Sequence, residues 1–199
     1  VKVLFATHNQ GKFREVKYLF DRAGIEVFSI IDAGLNLVIK EDGTTFADNA
    51  CKKARAAFEL TKMWVLGEDS GLEVDALGGQ PGIMSARFGG AEATDLERNQ
   101  RLLEMLVAVP FEKRTARFRC VMCLINPRGE ERLFEGVCEG RISHTLRGIA
   151  GFGYDPIFIP EGYGFTFAEL GWAVKNEVSH RARALRQVID YLKAQNSSG

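Results

Sequence analysis

The spacing of hydrophobic positions changes period several times along the chain. Val1 to Ala6 reads as a short strand, followed by the polar segment THNQGK. Phe13, Val16, Leu19, Phe20 and Ala23 then recur at helical spacing, and Gly24 closes that helix. Residues 25–42 hold one or two short strands, IEVFSII and LNLVIKE. A second helix starts from Thr44 or Thr45 and turns Phe46, Ala50, Ala54, Ala57 and Phe58 inward. MWVLGE is the next strand; it stops at Glu68 and Asp69, where a glycine-rich loop opens. Thr94 with Glu97, and Thr166 with Glu169, have the spacing of capping boxes and mark two further helix starts. Between them, RTARFRCVMCLINPRGEERLFEGVCEG reads as a hairpin turning at Asn126 to Gly129. The loop RGIAGFGYDP leads into a strand at IFIP. A last helix runs from Ser179 to Ala194, with Leu185, Val188, Ile189 and Leu192 inward and a frayed tail QNSSG. No repeat or linker interrupts residues 1–199, so the pattern predicts a single α/β domain with a mixed sheet.

Composition narrows the class of partner. The 199 residues are 46% hydrophobic, enough for a sizeable core, and 26 basic side chains balance 26 acidic ones. A broad electrostatic grip on nucleic acid is therefore not expected. No apolar run approaches the roughly 18 residues of a membrane span, and a secretory leader pattern is missing, so a cytoplasmic protein with no membrane partner is expected. Cys120 and Cys123 spell C-x-x-C, but in a strand residues three apart face opposite ways, which argues against a metal or redox pair.

Chemistry concentrates where charge opposes local structure. Lys12 falls in the first turn of a helix, against the dipole. It makes sense beside an anion held by Thr7, Asn9, Lys12 and backbone amides. His180 and Arg181 repeat the anomaly at the start of the last helix, with Lys175 five residues before. Lys53 lies on the inward face of its helix, where it either snorkels to the rim or reaches toward a phosphate. Glu41, Glu68 and Asp69 are hard oxygen ligands of the kind that suit Mg2+ beside substrate phosphates. Gly71, Gly78, Gly79 and Gly82 point to close backbone approach. GFGYDP places Phe152, Tyr154 and Asp155 in a glycine-rich turn, where an aromatic can stack a base and Asp155 can accept from a ring N–H. Phosphate donors, a metal site and a base platform together describe a nucleotide pocket.

With THNQGK, TTFADNACKKA, GEDSGLEVDALGGQPGIMSARFGG, GFGYDPIF and SHRARAL in this order, the chain resembles the inosine triphosphate pyrophosphatase (Ham1-like) family over nearly its whole length. The resemblance implies Mg2+-dependent hydrolysis of ITP, dITP and XTP to the monophosphate and pyrophosphate. It also implies a homodimer and an elongated mixed β-sheet with flanking helices, its two lobes around a central cleft. By position, Thr7, His8, Asn9, Gln10, Gly11, Lys12 and Lys53 hold the triphosphate. Glu41 and Asp69 serve the metal, Asp69 is also the base, and Ser70 contacts substrate. Phe152, Gly153, Tyr154, Asp155, Lys175, His180 and Arg181 surround the purine. Asp48 and Glu68 depart from the family's usual Glu and Asp, and Trp172 stands where a polar residue is expected. A pyrophosphatase for modified pyrimidine nucleotides, a non-catalytic purine-nucleotide sensor and an RNA-binding module are the alternative readings.

Overall fold

The computed structural model describes residues 1–196. Six strands form one mixed sheet: β1 (Lys2–Phe5), β2 (Glu26–Ser29), β3 (Trp64–Val74), β4 (Thr115–Ile125), β5 (Glu131–Ile142) and β6 (Phe158–Pro160), in the order β2-β1-β3-β4-β5-β6. β1 pairs in parallel with β2 and with β3, and β5 pairs antiparallel with β6. Among the described residues five α-helices accompany them: α1 (Gln10–Arg22), α2 (Phe46–Thr61), α3 (Asp95–Met105), α4 (Phe167–Val178) and α5 (His180–Asn196).

The chain divides into two compact units. Unit 1 comprises Val1–Asp69, Cys120–Gly136 and Arg181–Gly199, and unit 2 comprises Ser70–Arg119 and Val137–His180. β3, β4 and β5 each contribute residues to both. In unit 1 the core joins Val3, Phe5, Val16, Phe20, Leu66, Met122 and the inward face of α5, including Leu185, Val188 and Leu192. In unit 2 Leu72, Leu102, Leu106, Phe118, Phe158 and Phe167 form a separate cluster.

Local chemistry sets the helix starts. Thr45, Thr94 and Thr166 each accept from the backbone N–H three residues on, and the acids at those positions, Asp48, Glu97 and Glu169, return the bond. Asp48, one of the departures from the family pattern, is therefore occupied in capping α2. α1 is capped by Asn9, whose side chain accepts from Lys12 N–H.

The structure corrects four expectations. LNLVIKE forms no strand, and only β2 follows α1 before α2. β3 does not stop at Glu68 and Asp69; it runs eleven residues to Val74, so both acids lie mid-strand. Alternating side chains let the strand continue, because neighbouring residues address opposite faces and the two carboxylates need not share one. Gly78, Gly79 and Gly82 have open space where a Cβ would go and positive φ values of 62°, 88° and 54°. They serve tight turning, not close approach. Gln195 and Asn196, expected in the tail, belong to α5, which extends to Asn196; the rest of the expected tail, residues 197–199, lies outside the described residues.

Close approach belongs to a different glycine. A Cβ on Gly67 would overlap the Ala50 carbonyl oxygen and the Ala54 amide, so this bare position in β3 lets the α2 backbone lie directly against the strand. Asn49 and Lys53, on α2, thereby reach the residues that follow Gly67.

Candidate active site

Unit 1 holds a dense set of buried charges. Glu68 is 2% exposed and forms its hub. One carboxylate oxygen lies 3.0 Å from Lys12 Nζ, and the other accepts from Arg181 at 3.1 Å. Arg181, from the first turn of α5, also donates to Glu15 on α1. Cys120 Sγ sits 3.5 Å from the same Glu68 carboxylate. Two cations and two carboxylates thus balance within a buried space, as burial of charge demands. Burial pulls the Lys12 ammonium toward neutrality, but Glu68 overcomes this and its pKa rises above the ordinary value. Arg181 responds in the same way, held charged by Glu68 and Glu15 against its desolvation. Burial and the Glu68 charge push the Cys120 thiol far up, so it stays protonated.

Asp69 addresses the other face of β3. Its carboxylate accepts from Asn49 Nδ2 at 3.0 Å and lies 3.6 Å from Lys53 Nζ. Lys53 does not snorkel: it is 8% exposed, pairs with Glu41 at 2.9 Å and donates to the Glu68 carbonyl at 3.1 Å. Burial raises the Asp69 pKa, with Lys12 and Lys53 acting in opposition. A carboxylate raised in this way is a stronger proton acceptor than one in water.

The THNQGK segment lies beside this charge set on unit 1. Thr7 Oγ1 accepts from Asn9 N–H, His8 Nε2 is 2.8 Å from the Leu37 carbonyl oxygen, Gln10 begins α1, and Gly11 and Lys12 are half-buried in its first turn.

Unit 2 carries the remaining candidates. Asp155 is buried; it accepts from Lys175 Nζ at 2.6 Å and from Phe152 N–H at 3.0 Å. Lys175 Nζ lies 4.3 Å from the Phe152 ring centroid, a cation–π contact. Gly151, at φ 79°, has no room for a Cβ against the Asp155 carboxylate, which keeps the turn tight. Tyr154 is buried and donates its hydroxyl to the Ser85 carbonyl. His180 stacks on Phe118 with ring centroids 4.6 Å apart, and Ser70 is half-buried in β3.

Sequence reasoning missed Glu15 and Asn49. Asn49 was legible in principle, since it precedes Lys53 by one helical turn and shares its face. Glu15 carried no signal, because a glutamate on α1 reads as a solvated charge. The C-x-x-C pair separates as the strand geometry demands: Cys120 goes to Glu68, whereas Cys123 gathers with Cys51 and Glu131, their ligand atoms within 4.8 Å of one another.

The Ham1 family model matches residues 3–191. The chain belongs to the Ham1 family. Among Ham1-like relatives, the dITP/XTP pyrophosphatase of Desulforamulus reducens is 48% identical over 192 residues, 96% of each chain. That of Geobacter sulfurreducens is 44% identical over 191 residues, again 96% of each. The fold matches a HAM1 protein from Coxiella burnetii with a TM-score of 0.87, 38% identity, and 98% and 99% of the two chains covered. The Staphylococcus aureus Ham1 protein gives 0.86 at 35% identity, covering 98% of this chain and 100% of that one.

Proposed function

We propose that the chain is a nucleoside-triphosphate pyrophosphatase that hydrolyses dITP, ITP and XTP to the monophosphate and pyrophosphate, clearing non-standard purines from the nucleotide pool. The observation that carries the reading is the charge cluster of Lys12, Lys53, Glu41, Glu68 and Asp69, with Lys53, Glu68 and Asp69 buried, in a chain of this family. Named dITP/XTP pyrophosphatases that align over nearly their whole length support it.

Thr7 to Lys12 and Lys53 bind the triphosphate, and their charges offset the phosphate oxygens. Glu41 and Asp69 are oxygen donors suited to Mg2+, and these two carboxylates would hold the ion. Mg2+, when bound, supplies neutralisation of the charge that develops on the phosphate oxygens. Asn49 and Lys53 fix the Asp69 carboxylate, which orients an attacking water and takes its proton as the phosphoanhydride bond breaks. Lys12 and Arg181 hold the Glu68 carboxylate in place.

Phe152 to Asp155, Lys175, His180 and Arg181 recognise the base, and Ser70 contacts substrate. Donors from the cationic and imidazole groups pair with a 6-oxo acceptor and meet the 6-amino group of adenine unfavourably, which discriminates against ATP. The protein acts in the cytoplasm as a homodimer; among the described residues no helix is long and apolar enough to cross a membrane. Light scattering at a twice-monomer mass checks the dimer.

The deciding experiment measures pyrophosphate release from ITP, XTP, GTP and ATP with and without Mg2+. Fast turnover of ITP and XTP, slow turnover of ATP and loss of activity on chelation are expected; equal rates on all four would sink the housecleaning reading. Asp69→Asn is expected to lower kcat by at least about a hundredfold with circular dichroism unchanged. Tight ITP binding without turnover in the wild type would instead make the protein a sensor.

A further inference from the structure

The GFGYDP loop is held from outside by two side chains to which no role has so far been given. Gly153 N–H donates to Asp95 Oδ2 at 2.8 Å, and Asn99 Nδ2 donates to the Gly153 carbonyl at 2.8 Å. Asp95 and Asn99 stand one turn apart on α3, and the same Asn99 amide bonds the Asp95 carbonyl at 2.8 Å, tying the two together. Asn99 is 1% exposed, so its bond to Gly153 is made away from water.

Geometry makes this more than a loop contact. Gly153 has φ 62°, and a glycine is the residue with most freedom to leave such a conformation. Its N–H belongs to the peptide plane shared with Phe152 and its carbonyl to the plane shared with Tyr154. Fixing both planes restrains the backbone on either side of Gly153 and so narrows the directions in which Phe152 and Tyr154 project. Tyr154 gains a further anchor at Ser85, whereas Phe152 has Lys175 over its ring and the Asp155 carboxylate on its N–H. The Phe152 platform is therefore set from one side by the Asp155–Lys175 pair and from the other by α3.

We propose that Asp95 and Asn99 are positioning residues for purine recognition, clamping Gly153 so that Phe152 is presented to the base in a preformed orientation. The inference rests on the assignment of the Phe152–Asp155 loop to the purine. Preorganisation of this kind acts on binding of the base and leaves the phosphate chemistry alone.

The test uses Asp95→Ala, Asp95→Asn, Asn99→Ala and Phe152→Ala in the full chain, reading KM and kcat for ITP and inhibition by inosine and by pyrophosphate. Asp95→Ala and Asn99→Ala are expected to raise KM for ITP and the inosine inhibition constant about tenfold, with kcat and pyrophosphate inhibition within about twofold of wild type. Asp95→Asn keeps an oxygen that accepts from Gly153 N–H and is expected to restore both values. If the buried Asn99→Ala variant fails to fold, Asp95→Ala, on an exposed side chain, decides. Wild-type KM and inosine inhibition in Asp95→Ala, alongside a weakened Phe152→Ala, would overturn the clamp and leave the base loop standing. An unaffected Phe152→Ala would overturn the loop assignment and the clamp with it.

Discussion

Arg181 shows how much a single residue can hold together. The residue is 2% exposed, and its guanidinium joins Glu15 of α1 to Glu68 of β3, two carboxylates that burial alone would not tolerate. Arg181→Met is expected to lower stability in urea by about 3–5 kcal/mol, because it removes one partner and leaves buried charges uncompensated. A loss below about 1 kcal/mol would mean that water reaches the carboxylates and the pair is a surface contact. At this scale the sequence was informative about which residues are unusual and less so about why. Lys12 and Arg181 were conspicuous as cations in first turns, yet each first meets a carboxylate of the chain itself. The pairing of Glu68 with both depends on three segments meeting, and no local spacing encodes that. The adjacent acids were legible as odd, but their separation onto opposite faces appears only once β3 is seen to continue.

At the scale of elements, β3 and α2 form the pair that carries the proposed metal and water site. Gly67 lets them touch, and Gly67→Ala is expected to drive the Ala50 carbonyl away, lower the melting temperature by several degrees and cost about 1–3 kcal/mol. The displaced α2 also carries Lys53 and Asn49 off Asp69, so ITP turnover should fall with it. Helix starts behave differently, because their chemistry is local. Hydrogen bonds from Thr45, Thr94 and Thr166 hold Asp48, Glu97 and Glu169 below the usual carboxylate range. Each acid is thus more acidic folded than unfolded. Its contribution is complete above the unfolded carboxyl pKa and is lost as pH falls through the folded one. A triple variant, Asp48→Asn, Glu97→Gln and Glu169→Gln, should melt below wild type at neutral pH, with the gap closing in acid. A gap independent of pH would show that the carboxylate charge is irrelevant to capping. All three boxes were readable from the Thr-x-x-acid spacing, since both partners lie within one turn. LNLVIKE was not, because an apolar run of that length pairs only if a neighbouring strand edge is available.

For the whole molecule, the two units have separate cores but share three strands, so neither core can lose its sheet without the other losing strand residues. Unfolding is expected as one transition. Trp64 lies in unit 1 and Trp172 in unit 2, so Trp64→Phe and Trp172→Phe variants each leave one fluorescent reporter. Coincident denaturant midpoints in the two variants support shared cooperativity, and midpoints that differ would show independent units. By itself the sequence determined the α/β class, the helix starts, the inward faces of α1, α2 and α5, and the residue types of a nucleotide enzyme. These follow from periodicity and from contacts within a turn, which travel with the local chain. The tertiary structure alone decided the length of β3, the division of Glu68 from Asp69, the contacts of Glu15 with Arg181 and of Asn49 with Asp69, and the hold of Asp95 and Asn99 on Gly153. Each of those joins residues far apart in sequence, whose meeting is set by which apolar faces bury together.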